Sequence, residues 1–233
     1  MSLMRVQSFV AGNWVTPQTG LVPLHNAFSG EVIGHAGTGA PDVMAMYRHA
    51  LAHGGPALRA MTFHDRARML KALAQYLSAR KAELYELSYL TGATRSDSWI
   101  DIDGGIGTMF VFASKGRREM PDSHVYLDGD VEMLSRGGSF VGQHVCTPLQ
   151  GVAVHINAFN FPVWGMLEKL APTLLAGMPA IVKPATVTGY LAEAAFRMIL
   201  ESGCLPDGAV QFVSGRLGPL LDKLGPQLSL IHI

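Results

Sequence analysis

Apolar and polar positions follow three rhythms along this chain, and each predicts a different kind of element. Over residues 8–38 short alternating runs are punctuated by Gly12-Asn13, Ser29-Gly30 and Gly37-Thr38-Gly39, a pattern of short strands and turns. Pro41-Asp42 then opens a short helix to about Ala52, because the N–H that proline lacks is not needed in a first turn. Met69, Leu73, Leu77, Leu84 and Leu87 recur at helical spacing and predict one helix over residues 65–90. Thr62 is placed to cap it, Asp65 to complete a capping box, and Gly92 to end it. A further helix over residues 97–116 carries Trp99, Ile102, Ile106, Phe110 and Ala113 along one side. From 125 to 149 the pattern returns to alternation, with the turn signal Asp128-Gly129 and then Gly137-Gly138, which suits an extended hairpin.

After residue 150 the two periods alternate regularly. Strands are predicted at 152–156, 180–183 and 209–213, and helices at 163–175, 189–201 and 218–224. Short apolar strands between helices argue for an α/β fold with a parallel, doubly wound sheet. No internal repeat or low-complexity tract interrupts it.

Composition narrows the class. Hydrophobic residues make up 48% of the 233 and charged residues 15%, so the chain can bury a real core. Eighteen basic residues balance eighteen acidic ones, which removes the electrostatic case for a nucleic-acid partner or an anionic membrane. Cys146 and Cys204 cannot form a disulfide framework, and the N-terminus lacks a long apolar stretch, so a cytoplasmic location is expected. No charged side chain occurs between Arg136 and Glu168, yet Gln143, His144, Pro148, Gln150, His155, Asn157, Asn160 and Pro162 interrupt that run. A buried α/β core explains it better than a membrane span.

Two residues at predicted strand ends are candidates for chemistry, since open α/β sheets bind ligands at their carboxyl edges. Asn160, in Asn157-Ala158-Phe159-Asn160-Phe161-Pro162, is an amide held on backbone stiffened by the following proline. It either stabilises an oxyanion or caps the loop before the helix. Lys183, ending Ala180-Ile181-Val182-Lys183, either donates to a ribose or phosphate or is a solvated strand-end lysine. Thr186 is placed as a helix N-cap. Asp101 and Asp103 face different sides of their helix and read as surface or cap carboxylates. Nine histidines without metal spacing give no metal site, and neither cysteine has an activating neighbour.

Taken in order, Asn160-Phe161-Pro162, Glu168-Lys169-Leu170-Ala171-Pro172, Leu175-Ala176-Gly177-Met178-Pro179 and Lys183-Pro184-Ala185 resemble the aldehyde dehydrogenase superfamily. Gly203-Cys204-Leu205-Pro206-Asp207-Gly208, an apolar strand and Ser214-Gly215 extend the resemblance, which covers residues 8–227. The variant from His155 to Pro162 is similar to the branch acting on CoA-linked semialdehydes from aerobic aromatic breakdown. PALRAMTF at 56–63 and TGATRSDSWIDIDGGIGT at 91–108 are similar to the ring-opening bifunctional proteins of phenylacetate degradation, which add a hydratase-like domain that opens oxepin-CoA. The nearest alternative is the dehydroadipyl-CoA semialdehyde dehydrogenases.

The resemblance implies the N-terminal part of the dehydrogenase fold, with its helices, over 1–124, an oligomerisation-type hairpin over 125–149, and the first part of a Rossmann-type nucleotide-binding unit over 150–227. It implies that Asn160 is the oxyanion donor. Ile156, Asn157, Ala158, Phe159, Lys183, Ala185, Thr186, Gly215 and Gly218 are implied to line the nucleotide site, with Lys183 on the adenosine ribose. Many NAD-using relatives carry glutamate where this chain has Thr186; losing a carboxylate that repels a 2′-phosphate favours NADP, with NAD as the alternative. A homo-oligomer is implied for the intact parent. The family's glycine-rich loop, base glutamate and nucleophilic cysteine are expected beyond residue 227, so the catalytic domain is absent and the chain alone is expected to be inactive. Residues 228–233 read as a non-native tail in which Leu228, Leu230 and Ile231 mimic an apolar strand. A naturally short, non-catalytic module that binds nucleotide or a partner subunit is the other reading.

Overall fold

A computed structural model describes residues 3–37, 41–215 and 228–232. The Thr38-Gly39 end of the first turn region and the predicted helix over 218–224 lie outside the described residues. The N-terminal strands are β1 (Met4–Val6), β2 (Ser8–Val10), β3 (Asn13–Val15), β4 (Val22–His25) and β5 (Val32–Ala36). A hairpin follows the first helices, β6 (Tyr126–Met133) with β7 (Val141–Cys146), and then come β8 (Val152–Ile156), β9 (Ala180–Lys183), β10 (Val210–Phe212) and β11 (Leu228–His232). The main sheet runs β11-β8-β9-β10-β2-β3, and β1-β5-β4 form a second, smaller sheet.

The parallel βα pattern holds for β11, β8, β9 and β10, and β11 pairs residue for residue with β8 from Leu228↔Val152 to His232↔Ile156. The expected parallel sheet is extended by two antiparallel strands from the N-terminus, β2 and β3. Both faces are covered, as a doubly wound sheet requires. Ala153, Val182, Val210 and Phe212 join the larger core, while Val152, Ile181 and Val213 pack with Met46 and Ala50 on the other side. Buried Gln211 joins the N-terminal segments to this second face, donating to the Met46 carbonyl (2.7 Å) and accepting from the Ala11 N–H (2.9 Å).

The helices are α1 (Val43–His49), α2 (Gly55–Arg59), α3 (Phe63–Arg80), α4 (Ala82–Ser88), α5 (Arg95–Arg118), α6 (Trp164–Leu175) and α7 (Gly189–Glu201). The helix predicted to stop near Ala52 instead widens into a π turn over Ala50–Gly54 and runs on through α2. The capping box at Thr62 and Asp65 is present, and Thr94 and Asp97 repeat it at the start of α5. The helix read as continuous over 65–90 breaks at Lys81, whose carbonyl takes a tight bond from Leu84 N (3.0 Å) and only a long one from Tyr85 N (3.4 Å). Trp99, placed by periodicity in the α5 stripe, is 60% exposed; the buried stripe is Ser98, Asp101, Ile102, Gly105, Ile106, Met109, Ala113 and Gly116.

Asp128-Gly129 is not the hairpin turn. It lies at a bulge, where four steps on β6 from Asp128 to Glu132 oppose two on β7. The turn itself lies near Ser135 and Ser139, whose hydroxyls are 3.2 Å apart. Among the described residues no helix is long and apolar enough to cross a membrane.

Candidate functional site

Three neighbouring segments leave the carboxyl edge of the main sheet: residues 157–163 after β8, 184–188 after β9 and 213–215 after β10. Register sets their spacing. Ile156 stands opposite Lys183, and the Asn157 N–H donates to the Lys183 carbonyl at 2.9 Å. The strand pairing therefore continues one residue past β8 and draws Asn157 into the interior. Its side chain is buried, and among the described residues neither its amide nitrogen nor its amide oxygen has a partner. A buried polar atom left unpaired costs about 1–3 kcal/mol. Two such atoms on one side chain at a ligand-binding edge point to a ligand.

Lys183 is buried beside it, and its Nζ touches the Pro184 carbonyl, its one partner among the described residues. Burial lowers its pKa from the ordinary lysine value. An ammonium has three donors, so at least two remain for a ligand. Ala185 is half-buried and extended, and Gly215 is buried with a φ of 73°. Gly218 lies outside the described residues. Thr186 does not act as an N-cap: it begins a 3-10 turn over Thr186–Thr188 with no side-chain capping bond. Thr188 takes the tying role instead, its hydroxyl donating to the Phe159 carbonyl at 3.1 Å and joining the first two segments. Ala158 and Phe159 are exposed at the mouth.

Asn160 is exposed, and its amide has no protein partner among the described residues. Together with Ala158, Phe161, Trp164, Gly165, Glu168 and Lys169 it lines a cavity of about 280 Å³. Lys169, one turn into α6, is buried and donates to the Gly165 carbonyl (2.9 Å), with Glu168 at 3.5 Å. Behind it, His155 is fully buried with its Nε2 3.1 Å from the Thr173 hydroxyl. Burial, reinforced by the Lys169 charge, holds His155 at a pKa of about 4, so the ring is neutral near pH 7.

The Asn160 turn is held by a residue whose role could not be read locally. Asp101, on α5, is buried and caps α6 from 62 residues away: its Oδ1 accepts from Val163 N (3.0 Å) and Trp164 N (2.7 Å). The close approach depends on Gly105, where a Cβ would stand 2.9 Å from the Trp164 Cα. Burial raises the Asp101 pKa to about 6 against the two N–H bonds that lower it. Asp103 points the other way, to Lys81 and to the Tyr85 hydroxyl at 2.6 Å. The available signal was the spacing of Ser98, Asp101, Ile102 and Gly105, which sets Asp101 in a stripe of small and apolar residues.

Neither cysteine belongs to this edge. Cys146 is exposed on the hairpin, and Cys204 follows α7 with its Sγ 3.6 Å from the Ser202 carbonyl.

Comparison with known proteins agrees with this architecture. The chain is 40% identical over 222 residues to 3,4-dehydroadipyl-CoA semialdehyde dehydrogenase of Aromatoleum evansii, covering 95% of this chain and 43% of that protein. It superposes on NADP-dependent glyceraldehyde-3-phosphate dehydrogenase from Bacillus halodurans C-125, solved with NADP, with a TM-score of 0.78 at 23% identity. That match covers 97% of this chain and 48% of the other. Betaine aldehyde dehydrogenase from Staphylococcus aureus, solved with NAD+, matches with a TM-score of 0.74 at 21% identity, over 94% of this chain and 42% of the other. These two likenesses concern the fold, and the chain spans less than half the length of each of the three proteins. Residues 14–224 match the model of the aldehyde dehydrogenase family, and the chain belongs to that family.

Proposed function

We propose that this chain is the nucleotide-binding part of a dehydrogenase that oxidises a CoA-linked semialdehyde with NADP. The observation that carries the nucleotide assignment is the buried Asn157 amide, unpartnered at both atoms among the described residues, beside Lys183 at adjacent strand ends. Those groups fit a dinucleotide: the lysine donors suit a ribose, and the Asn157 amide can both donate and accept. Ile156, Ala158, Phe159, Ala185 and Gly215 line the rest of the path among the described residues. Bound NADP supplies the hydride acceptor. This chain's own contribution is to hold the nucleotide and to present the Asn160 amide toward the aldehyde oxygen, where a fixed donor stabilises developing negative charge. Asp101 is the positioning residue that fixes the backbone after that amide.

The substrate class rests on the 40% identity to a CoA semialdehyde dehydrogenase. The stretches at 56–63 and 91–108 support the phenylacetate ring-opening branch, whose complete proteins also carry an oxepin-CoA hydrolase domain. That same relative favours a second reading, dehydroadipyl-CoA semialdehyde oxidation. Assay of a complete protein containing this sequence against both semialdehydes separates the two. The hairpin over 125–149 exposes Leu127, Val131, Met133, Val141 and Val145, which suits contact between copies in a homo-oligomer.

The nucleotide proposal is tested by fluorescence titration of the chain with NADPH and NADH. NADPH is expected to bind more tightly, K183M to weaken both nucleotides at least tenfold, and T186E to reverse the preference. Equal or tighter NADH binding by the unsubstituted chain would remove the NADP assignment. Saturable binding untouched by K183M would remove the site.

A further inference from the structure

On the opposite side of the sheet from the larger core, His49 ends α1 and His53 lies in the π turn that follows it. Four residues apart on one helical face, their rings stack with centroids 4.6 Å apart. The turn before β10 brings Asp207 between them. Its Oδ1 is 3.1 Å from His49 Nε2 and its Oδ2 3.9 Å from His53 Nδ1, and the three donor atoms all lie within 4.8 Å of one another. We propose that His49, His53 and Asp207 form a binding site for a divalent transition-metal ion of the zinc class.

Ligand atoms about 2.0–2.2 Å from a tetrahedral ion stand roughly 3.3 Å apart. His49 and Asp207 already meet that spacing. His53 has to close by up to about 1.5 Å, and its side chain is 55% exposed, with room to turn. The backbones beneath are set in advance. A Cβ on Gly54 would fall 2.1 Å from the Gly208 carbonyl oxygen, and one on Gly208 would fall 2.8 Å from Gly54 N and 3.1 Å from the His53 Cβ. The two glycines therefore press the Asp207 turn against the helix with no side chain between, and the ion has little left to order. A simple His49–Asp207 hydrogen bond accounts for one histidine. It gives no reason for the second imidazole to face the same carboxylate.

Two imidazoles and one carboxylate select Zn²⁺, Co²⁺, Ni²⁺ or Cu²⁺ over Mg²⁺ and Ca²⁺. The exposed side leaves the remaining positions to water, so the ion would clamp the turn before β10 to the helix after β5.

The test is calorimetric titration of Zn²⁺ into the 233-residue chain carrying C146S and C204S, which removes thiol ligands. One equivalent is expected to bind and to raise the thermal midpoint, while Mg²⁺ at the same concentration does neither. H53A, a change at an exposed position, and D207N are each expected to weaken Zn²⁺ binding at least tenfold and abolish the thermal shift, with circular dichroism unchanged. No saturable Zn²⁺ binding, or affinity within twofold of the parent in folded H53A, would overturn the proposal. The measurement involves no nucleotide and is independent of the assignment above.

Discussion

Asp101 is the residue at which the fold and the candidate site are most tightly coupled, and its substitution gives a prediction with a sign and a size. Its Oδ1 accepts both N–H bonds at the start of α6, at 3.0 and 2.7 Å, while Oδ2 lies at a weak 3.4 Å from Val163 N. Asparagine with its carbonyl in the Oδ1 position keeps both bonds; alanine keeps neither. Leaving two buried donors unpaired costs about 1–3 kcal/mol each, so D101A should be less stable than D101N by roughly 2–6 kcal/mol.

The pH dependence of Asp101 follows from its raised pKa. Folding moves the carboxyl from its ordinary value of 3.8 to about 6, so the folded state binds its proton more tightly than the unfolded state does. The stabilisation from that proton is fully present below pH 3.8 and is lost as pH rises through about 6. The shift is worth about 3 kcal/mol. D101N cannot titrate, so its stability relative to the parent should rise by roughly 2–3 kcal/mol between pH 4 and pH 7. Urea unfolding of the parent, D101N and D101A across that range measures both quantities, since other titrations cancel in the differences. A parent–D101N difference that stays flat with pH would show an ordinary carboxylate. A gap below about 1 kcal/mol between D101A and D101N would show that the capping bonds contribute little.

Outcomes at four further residues are expected. His155, held near a pKa of 4 by burial and then by Lys169, is neutral in the folded chain, so the stability it contributes is complete above pH 6.5 and lost as pH falls toward 4. H155N should remove about 3 kcal/mol of acid sensitivity in the same urea series, and an unchanged acid limb would refute this. Buried Arg66 donates to the carbonyls of Leu175 (2.7 Å), Leu58 (3.0 Å) and Met61 (2.8 Å), so R66A should cost about 3–5 kcal/mol by leaving those oxygens unpaired. R66K should recover only part of that loss, because an ammonium cannot reproduce the guanidinium fork; full rescue by lysine would contradict the geometry. G54A should fail to fold or lose more than about 3 kcal/mol, because its Cβ meets the Gly208 backbone. G107A, with nothing within 4 Å of the new methyl, should gain about 0.5–1 kcal/mol in thermal denaturation.

Much of the site was legible in the chain because its elements are local. The apolar runs at 152–156 and 180–183 are strands to the residue, and α6 and α7 fall within a residue of their predicted bounds. Asn157 directly follows such a strand, Lys183 ends one, and Asn160 lies in the short turn after the first, which places all three at the sheet edge. Where local reading went astray, distant residues decided the outcome. Asp128-Gly129 has the composition of a turn, but β7 pairs beyond it and makes it a bulge. Thr186 has the composition of a cap, but Thr188 makes the bond because the Phe159 carbonyl lies above it. Trp99 keeps the helical period but faces outward, since α6 approaches α5 at the glycine side.

By itself the sequence determined the period of each segment, the cap at Thr62, the parallel βα order and the amide and ammonium at its edge. These depend on backbone sterics and on residues a few positions apart. Only the tertiary structure decided that Asp101 caps α6, that β2 and β3 extend the main sheet, that Asn157 is buried without a partner among the described residues, and that Asp207 meets His49 and His53. Each of those depends on groups separated by tens to hundreds of residues, and it is packing of the whole chain, through close glycine contacts and strand register, that brings them within hydrogen-bond reach.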